Sequence, residues 1–390
     1  MCSASPAYVV VAVLLTATLW TPSAVVAQET PSLNMTEKIE QAFQSVLDEI
    51  IKDHPKAIGL LVHVEAPNES ISWSGAAGFS DAALEKPLVA NQPVWIASNT
   101  KTYVSAAILR LVEEGELSLN DSIDRRLSPK TNALLKGDGY NTTAITLQQL
   151  LNHTSGICDY AATENYFAAV SKDPKHRWTR DEQLGMAVEF GQPLGKPGEQ
   201  FTYADSNYLL LTEVMEQAID APFYESMRTL LDYKKQKLES TWFISLEDVP
   251  ANAASMAFQK STSMKVDNQL VDPSFDLYGG GGLASTMEEL ARFNQQLFTG
   301  GVFDHKETLE LMMAPAKPQK PMEGDYFLGL SSVNFDGAKG YGHGGFWGTA
   351  VNHFPKRNVT IAVTVLERDQ RALRADISKA ILKAIKQLKQ

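Results

Sequence analysis

Cysteine is scarce in this chain, with two residues, Cys2 and Cys158, among 390. Cys2 lies in an apolar amino-terminal segment that we expect to be removed, so Cys158 would have no disulfide partner. A chain of this length with 44% hydrophobic residues can build a large core without a disulfide. Cys158 is therefore interpreted as a buried structural thiol, with a catalytic thiol as the alternative.

Basic charge is also in deficit, since 35 Lys and Arg residues face 46 Asp and Glu residues, a net charge of −11. Nucleic-acid binding requires a basic face that neutralises phosphates. The composition therefore argues against a nucleic-acid partner.

Long apolar runs are absent apart from residues 8–20 near the amino terminus. Small residues follow at 23–27, which predicts a signal peptide over residues 1–27 with cleavage after Ala27. The alternative is an uncleaved membrane anchor, but the run is short of the roughly 20 residues that span a bilayer. We expect a secreted or periplasmic protein with no membrane span after cleavage.

Glycosylation sequons of the form Asn-x-Ser/Thr are more frequent than random placement predicts. They occur at Asn34, Asn68, Asn120, Asn141, Asn152 and Asn358. The excess indicates a glycosylating secretory route. Asn152 stands in an apolar helical context, and we do not expect it to be modified.

Several catalytic motifs are missing. There is no Gly-x-Ser-x-Gly element of an α/β-hydrolase. The seven histidines form no close pair of the kind that binds zinc. The glycine run at 279–282 lacks the Lys-Ser/Thr of a nucleotide-binding loop. The sequence therefore predicts no metal site and no cofactor.

Strand patterns lie at both ends of the chain and helical patterns in the middle. Alternation and apolar periodicity predict strands over 57–65, 70–73, 326–333, 339–342, 348–354 and 358–366, and helices over 37–52, 102–114, 147–152, 180–190, 206–219, 223–231, 286–298 and 372–388. Residues 163–180 are expected as a loop that lines the cleft. This layout predicts an α+β fold in which an antiparallel sheet, formed from both ends of the chain, is flanked by helices. The predicted sheet domain comprises residues 37–115 and 280–390, and a mostly helical domain is inserted over 116–279.

A serine and a lysine three residues apart stand immediately before the helical pattern that begins at Thr102. If the helix starts near Ser98, Lys101 shares its face and its amine reaches the Ser98 hydroxyl. A serine becomes a nucleophile when a base removes its proton, and a desolvated lysine can be that base. Apolar residues flank the motif on both sides. The alternative is a surface helix cap with a solvated lysine.

Together with other segments, this motif resembles the penicillin-recognising serine hydrolases. That family includes class C β-lactamases, DD-peptidases, D-stereospecific peptidases and related esterases. The similar segments are Ser98 to Lys101 and the stretches 73–78, 145–157 (ITLQQLLNHTSGI), 280–286 (GGGLAST) and 341–347 (YGHGGFW). The resemblance runs over about residues 57–366 and implies the predicted fold.

The family's second motif, Tyr-x-Asn, falls on Tyr203-Ala204-Asp205. The resemblance implies that Tyr203 lies near Ser98 and transfers its proton. Asp205 departs from the family pattern, because a carboxylate accepts hydrogen bonds and cannot donate one as an amide does. We expect Asp205 to pair with Lys101 and raise its pKa. Asn207 is the alternative source of an amide.

The third motif, His-x-Gly, falls on His343-Gly344-Gly345. The resemblance implies that the Phe346 N–H completes an oxyanion hole with the Ser98 N–H. His343 would orient a substrate carboxylate or the Tyr203 hydroxyl. His153 is interpreted as structural, in a segment that does not face the nucleophile.

The resemblance therefore implies a serine hydrolase that forms an acyl-Ser98 intermediate on an ester or amide of a small-molecule or peptide substrate. The amino-terminal segment predicts that this hydrolase is exported. DD-carboxypeptidase, D-peptidase and carboxylesterase activities are favoured. A β-lactamase is an alternative, and so is a catalytically inactive descendant that keeps the fold as a binding or structural protein.

Overall fold

The computed structural model describes residues 35–387 and, ahead of them, Met1 alone. The predicted cleavage at Ala27 and the sequon at Asn34 therefore lie outside the described residues. No helix in the described part of the chain has both the length and the apolar character needed to cross a bilayer.

The longer strands lie towards the two ends of the described chain and most helices lie between them, as the sequence patterns indicate. The helices are α1 (Met35–Asp53), α2 (Thr100–Glu113), α3 (Pro129–Gly137), α4 (Leu147–Leu151), α5 (Glu164–Lys172), α6 (Arg180–Phe190), α7 (Asp205–Ile219), α8 (Phe223–Leu230), α9 (Met287–Phe298), α10 (Lys306–Met312) and α11 (Leu373–Gln387). The strands are β1 (Gly59–Ala66), β2 (Ile71–Gly78), β3 (Val94–Trp95), β4 (Trp242–Phe243), β5 (Lys260–Ser261), β6 (Val266–Asp267), β7 (Leu283–Ser285), β8 (Ser331–Phe335), β9 (Ala338–Gly344), β10 (Thr349–Phe354) and β11 (Val359–Val365).

A six-stranded antiparallel sheet with the order β2-β1-β11-β10-β9-β8 forms the centre of the fold. The neighbouring strands β1 and β11 join the two ends of the chain, with Leu60 opposite Val365. The predicted α+β fold, with a sheet built from both ends and a helical insert, is confirmed. The domain boundaries at residues 115 and 280 stay a prediction.

Both faces of the sheet are covered, which explains the continuous apolar run in β1. Leu60, Val62 and Val64 pack in the cluster formed with α1 and α11. Leu61 points to the other face and joins the large core that includes α2 and α9. Strands buried on both faces read as unbroken hydrophobic runs rather than as alternating ones.

Two local predictions are wrong. The strand predicted over 326–333 begins only at Ser331, because Gly329 adopts φ +73° and turns the chain before it pairs. The predicted loop over 163–180 contains α5, whose N-cap Thr163 accepts a hydrogen bond from the Tyr166 N–H. The buried side chains of Tyr166 and Val170 anchor this short helix.

Candidate active site

The nucleophile candidate lies on a tight turn between β3 and α2. Ser98 is partly exposed within the 3₁₀ turn Ala97–Asn99, and α2 begins directly after it at Thr100. The turn is held against β7, because the Ile96 N–H donates to the Leu283 carbonyl at 3.0 Å. Ala97 has φ +46°, a left-handed conformation that non-glycine residues rarely adopt. Such backbone strain concentrates at functional sites, where the surrounding structure holds it.

Lys101 lies one helical turn further on, and its side chain is fully buried. Its Nζ donates to Ser98 Oγ at 3.0 Å and to the Gly280 carbonyl, and it lies 2.5 Å from Asp205 Oδ1. Burial alone lowers the pKa of the ammonium, but Asp205, Tyr203 and Asp276 more than offset it, so the pKa lies above its usual value. Lys101 is therefore held as a cation in the free protein, the direction expected from Asp205.

Tyr203 lies in the extended segment just before α7, where the Lys101 and Ser98 side chains act to lower the pKa of its hydroxyl. The ammonium of Lys101 also lies 4.9 Å from the centre of the Tyr203 ring. Burial raises the pKa of the Tyr203 hydroxyl above its usual value, and the Lys101 charge opposes that rise. The structure thus brings Ser98, Lys101 and Tyr203 together.

Asp205 is the first residue of α7. Its backbone N–H donates to Asp159 Oδ1 at 3.0 Å while its carboxylate pairs with Lys101. Asn207 does not supply a replacement amide. Its side chain is fully buried, donates to His153 Nδ1 at 3.1 Å and accepts from Ser155 Oγ at 2.6 Å.

His153 contacts the site through Tyr203, although the sequence analysis assigned it a structural role away from the nucleophile. Its ring centre is 4.3 Å from that of Tyr203. Its Nδ1 accepts hydrogen bonds from the Ala204 N–H and from Asn207, at 3.2 and 3.1 Å. Nε2 must therefore carry the proton, and it donates to the Tyr326 hydroxyl at 3.2 Å. Burial, followed by the Lys101 charge, lowers the pKa of His153 well below its usual value, so the ring is neutral.

His343 is held by the same tyrosine. Its Nδ1–H donates to the Gly344 carbonyl at 2.7 Å, and its Nε2 accepts from the Tyr326 hydroxyl at 3.1 Å. Burial and the Lys101 charge lower the pKa of His343 to about 4. Both ring nitrogens are engaged, and neither bonds the Tyr203 hydroxyl. The expected role of orienting that hydroxyl is therefore not seen.

The segment after β9 packs directly on the nucleophile turn. A Cβ added at Gly345 would lie 2.4 Å from the Ile96 carbonyl, so only glycine allows this approach. No hydrogen bond within residues 35–387 engages the backbone N–H of Ser98 or of Phe346. Arg374 of α11 holds the same segment from behind, donating to the Thr349 carbonyl at 2.6 Å and to the Gly345 carbonyl at 3.4 Å.

Two further carboxyls belong to the site, and sequence reasoning missed both. Burial, followed by Asp205, raises the pKa of Asp159 to about 7. The same two causes raise the pKa of Asp276 well above its usual value. Both residues are separated from Ser98 by long stretches of chain and belong to no motif. The glycine run at 279–282 was the available signal, because a Cβ at Gly281 would lie 2.4 Å from Asp276 Oδ2.

Neither a cysteine nucleophile nor a metal site is favoured as an alternative to Ser98 in the described part of the chain. Burial raises the pKa of the Cys158 thiol above its usual value, which disfavours the thiolate that a nucleophile requires. Among the described residues, no group of three or more His, Cys, Asp and Glu side chains is placed to hold a metal ion.

Comparison with known proteins places this geometry in a family. The beta-lactamase family model matches residues 47–384. Penicillin-binding protein 4* of Bacillus subtilis (strain 168) is 23% identical over 338 residues, which cover 82% of this chain and 70% of that protein.

Two solved structures share the fold. The D-amino acid amidase of Ochrobactrum anthropi SV3, solved with L-phenylalanine, superposes with a TM-score of 0.74 at 17% identity, covering 90% of this chain and 99% of the amidase. A D-stereospecific amidohydrolase from Streptomyces sp. superposes with a TM-score of 0.71 at 22% identity, covering 86% and 98% of the two chains. Since the family model spans most of the chain and the fold agrees, this chain belongs to the beta-lactamase family.

Proposed function

We propose that the chain is a serine hydrolase that cleaves an ester or amide through an acyl-Ser98 intermediate. One observation carries the proposal: Lys101 Nζ donates a hydrogen bond to Ser98 Oγ at 3.0 Å and lies 4.9 Å from the centre of the Tyr203 ring. A covalent hydrolase needs a nucleophile that is activated by groups in its immediate surroundings, and here a buried cation and a phenol lie beside the serine.

Proton transfer falls to Tyr203 rather than to Lys101. Lys101 is held as an ammonium and has no lone pair with which to accept a proton. The raised pKa of Tyr203 makes the phenolate the minor form, and the Lys101 charge, which opposes that rise, stabilises the phenolate when it forms. It takes the Ser98 proton as Oγ attacks the carbonyl carbon, and then gives the proton to the leaving alcohol or amine. Water attacks the acyl-enzyme by the reverse sequence and releases the acid.

The negative charge on the carbonyl oxygen would be stabilised by the backbone N–H groups of Ser98 and Phe346. Both amides are free of other hydrogen bonds within the described residues. Amides that are already in place cost no reorganisation when the charge develops. Gly345 supports this arrangement because it lets the strand end approach the nucleophile turn.

The acyl donor is proposed to be a peptide or amino acid amide of the D series, or a carboxylic ester. The names of the D-amino acid amidase and the D-stereospecific amidohydrolase, whose folds this chain shares, support the first choice. β-Lactam hydrolysis is the second candidate. Asp205 disfavours it, because a carboxylate in place of the family's asparagine cannot donate a hydrogen bond to a substrate carbonyl.

The test uses the purified chain from residue 28 with a fluorescent penicillin, a p-nitrophenyl ester and a D-Ala-D-Ala peptide. We expect turnover or a covalent adduct, detected by mass spectrometry, and loss of both in Ser98→Ala. Ser332→Ala, on the edge strand β8, is the matched control and should keep full activity.

Adduct formation that persists in Ser98→Ala would reject Ser98 as the nucleophile. Failure of the intact chain with all three probes would favour the inactive, binding or structural alternative.

We also propose that the chain is exported and glycosylated. The apolar segment at residues 8–20 supports export. The sequons at Asn68, Asn120 and Asn141 are exposed and accessible to a transferase, whereas Asn152 is buried. Mass spectrometry of protein secreted by a eukaryotic host tests this: we expect a processed amino terminus near residue 28, glycans at the exposed sites and none at Asn152.

A further inference from the structure

A cavity of about 600 Å³ lies apart from the groups around Ser98. It is formed by the segment before β1, the connection from β2 to β3, the hairpin of β5 and β6, and the 3₁₀ turn Arg368–Gln370 that follows β11. None of the residues that line it belongs to the groups placed around the nucleophile. Cavities of several hundred Å³ have the size that binds small molecules. The cavity is therefore a candidate ligand site outside the proposed active site.

One wall of the cavity is apolar. It consists of Pro55, Ile58, Ala82 and Leu84. Leu84 is 46% exposed, although leucine is among the residues most often buried. A ligand that covered this wall would remove apolar surface from water, which is favourable.

The backbone of this wall is strained at two places. Ile58 combines φ +68° with ψ −61°, a strained γ-turn geometry that is rare for a β-branched residue. Leu84 adopts φ +59°. Strained residues persist where the surrounding structure holds them, and they cluster at sites that clamp ligands.

The other wall is polar, and its carboxylates already have partners within the chain. Glu367 accepts hydrogen bonds from the N–H groups of Thr262 and Asp369, at 3.1 and 3.3 Å, and from the Thr262 hydroxyl. Asp369 accepts from the hydroxyls of Ser261 and Ser263, at 3.0 and 2.8 Å. Neither carboxylate therefore needs a further donor from a ligand.

The donors of the same wall are not satisfied in this way. The Lys56 side chain is exposed and forms no ion pair or hydrogen bond with any group in residues 35–387. Lys260 Nζ lies 3.8 Å from Glu367 Oε2, too far for a hydrogen bond. The side-chain amide of Gln370 also has no hydrogen-bond partner in the described part of the chain. Two cations and an amide are thus available to a ligand.

A carboxylate with an aliphatic chain complements both walls. Its oxygens can accept charge-assisted hydrogen bonds from Lys56 and Lys260. Its chain would cover the apolar side chains of Ile58 and Leu84. An organic cation fits less well, because it would lie beside two lysines while the carboxylates are already bonded.

The 3₁₀ turn separates this cavity from the proposed oxyanion hole. Glu367, Asp369 and Gln370 line the cavity. Arg368, between them in sequence, is not part of the lining and places its guanidinium 4.2 Å from the centre of the Phe346 ring. A ligand in the cavity would therefore contact the turn without contacting the groups around Ser98.

We propose that this cavity binds a small amphipathic carboxylate, with the carboxylate at Lys56 and Lys260 and the aliphatic chain on Ile58 and Leu84. The site is separate from the acyl-transfer site, and binding needs neither Ser98 nor turnover.

The test measures binding of octanoate, octylammonium and acetate to the purified chain by calorimetry. We expect octanoate to bind about tenfold or more tightly than octylammonium, because hydrogen bonds to charged groups contribute this much. It should exceed acetate by a similar factor, because acetate has no chain to cover the apolar wall. Octylammonium or acetate binding as tightly as octanoate would overturn the proposal.

The variant Leu84→Asn tests the apolar wall. Asparagine adopts a left-handed backbone more readily than leucine, so the variant should fold, and octanoate should bind about threefold or more weakly. Val89→Asn is the matched control, since Val89 is 56% exposed in the same connection but does not line the cavity. Equal octanoate affinity in the two variants would reject the assigned wall.

The double variant Lys56→Gln/Lys260→Gln tests the charged end of the site. Each exposed charge pair contributes a few-fold in affinity, so the preference for octanoate over octylammonium should fall about tenfold. Lys86→Gln, at an exposed lysine outside the cavity, should keep the preference. An unchanged preference in the double variant would show that the anion binds elsewhere.

Binding to Ser98→Ala separates this inference from the proposed function. We expect this variant to bind octanoate as tightly as the unmodified chain. Octanoate binding that is lost with Ser98 would place the ligand in the active site and overturn the proposal. Absence of Ser98-dependent turnover, with octanoate binding intact, defeats the hydrolase function alone.

Discussion

At the scale of single residues, the carboxylate of Asp205 changes the chemistry of the Ser98 and Lys101 pair. Asp205 lies 2.5 Å from Lys101 and holds it as a cation. The lysine then serves as a fixed positive charge beside the Ser98 and Tyr203 hydroxyls. The identity of residue 205 therefore decides which group can accept the proton of the nucleophile.

Asp205→Asn should extend activity to lower pH. The carboxylate raises the pKa of both Lys101 and Tyr203, so its loss lowers both values. A group that works in its deprotonated form then becomes available at lower pH. We expect the acidic limb of the kcat/KM profile to move down by about one pH unit or more.

The pH profile of Asp181→Asn is the control, since Asp181 is exposed and pairs with Lys130. An Asp205→Asn profile identical to that of the unmodified chain would show that Asp205 does not couple to the proton acceptor.

Tyr326→Phe should destabilise the fold, because two buried histidines lose a hydrogen bond to the Tyr326 hydroxyl. The Tyr326 hydroxyl accepts from His153 Nε2 and donates to His343 Nε2, at 3.2 and 3.1 Å. Without it, two buried ring nitrogens lose their partner. We expect the free energy of unfolding in urea to fall by about 1–3 kcal/mol.

Tyr233→Phe is a matched comparison for Tyr326→Phe. The Tyr233 hydroxyl is equally buried but has no hydrogen-bond partner within the described residues. Its removal should leave stability unchanged or increase it. Equal losses in the two variants would mean that the Tyr326 bridge contributes nothing beyond packing.

At the scale of elements, the glycine run at 279–282 shapes the site. The Gly280 carbonyl accepts from Lys101, and Gly281 lies against the Asp276 side chain. Gly282 adopts φ +112° as the chain enters β7. The run therefore carries backbone into contact with buried charged groups, which any side chain would prevent.

Gly281→Ala should impair both folding and turnover. The new Cβ would lie 2.4 Å from Asp276 Oδ2, so the carboxyl or the loop must move. We expect a loss of about 1–3 kcal/mol in the free energy of unfolding, as for other overpacked sites. We also expect lower kcat/KM, because the Gly280 carbonyl that holds Lys101 moves with the loop.

Gly137→Ala at the end of α3 is the control. A Cβ there meets nothing within 4 Å, so alanine should be neutral or stabilise the helix by up to about 1 kcal/mol. A fully stable, fully active Gly281→Ala would show that the loop tolerates a side chain.

At the scale of the whole molecule, the sheet separates a supporting layer from the layer that holds the site. α1 and α11 pack on one face around Phe43, Leu60 and Ile381. The residues around Ser98 belong to the core on the other face, with Trp95, Val104 and Tyr208. The apolar residues of the outer layer therefore contribute stability, and its contact with the site is the hydrogen bond from Arg374 of α11 to the Gly345 carbonyl.

Phe43→Ala should separate stability from activity. Phe43 is fully buried, with its ring centre 5.3 Å from that of Trp73. Its truncation should lower the free energy of unfolding by about 3–5 kcal/mol. The kcat/KM of the folded protein, measured well below its melting temperature, should not change.

Glu49→Ala on the exposed side of α1 should alter stability by less than about 0.5 kcal/mol. A fall in kcat/KM of folded Phe43→Ala would show that the outer layer does reach the site.

Local patterns predicted the fold class and the pair of Ser98 and Lys101, and the resemblance to a known family added Tyr203. The spacing of Ser98 and Lys101 depends on a single helical turn, so sequence alone places their side chains together. Tyr203 followed from its motif. That both ends of the chain form one sheet could be anticipated, because the apolar runs at the two ends need a shared core.

Contacts between segments that are distant along the chain could not be predicted from the sequence. Asp276, Tyr326 and His153 gain their roles from where the chain folds back, and no spacing along the chain encodes those distances. The same holds for the protonation state of Asp159, because burial and the neighbouring Asp205 raise the pKa of its carboxyl. The sequence by itself determined the nucleophile candidate, its lysine, the architecture and the expectation that Asp205 holds Lys101 charged. Only the tertiary structure decided that Asp276 also acts on Lys101, because folding brings this distant carboxyl near the ammonium.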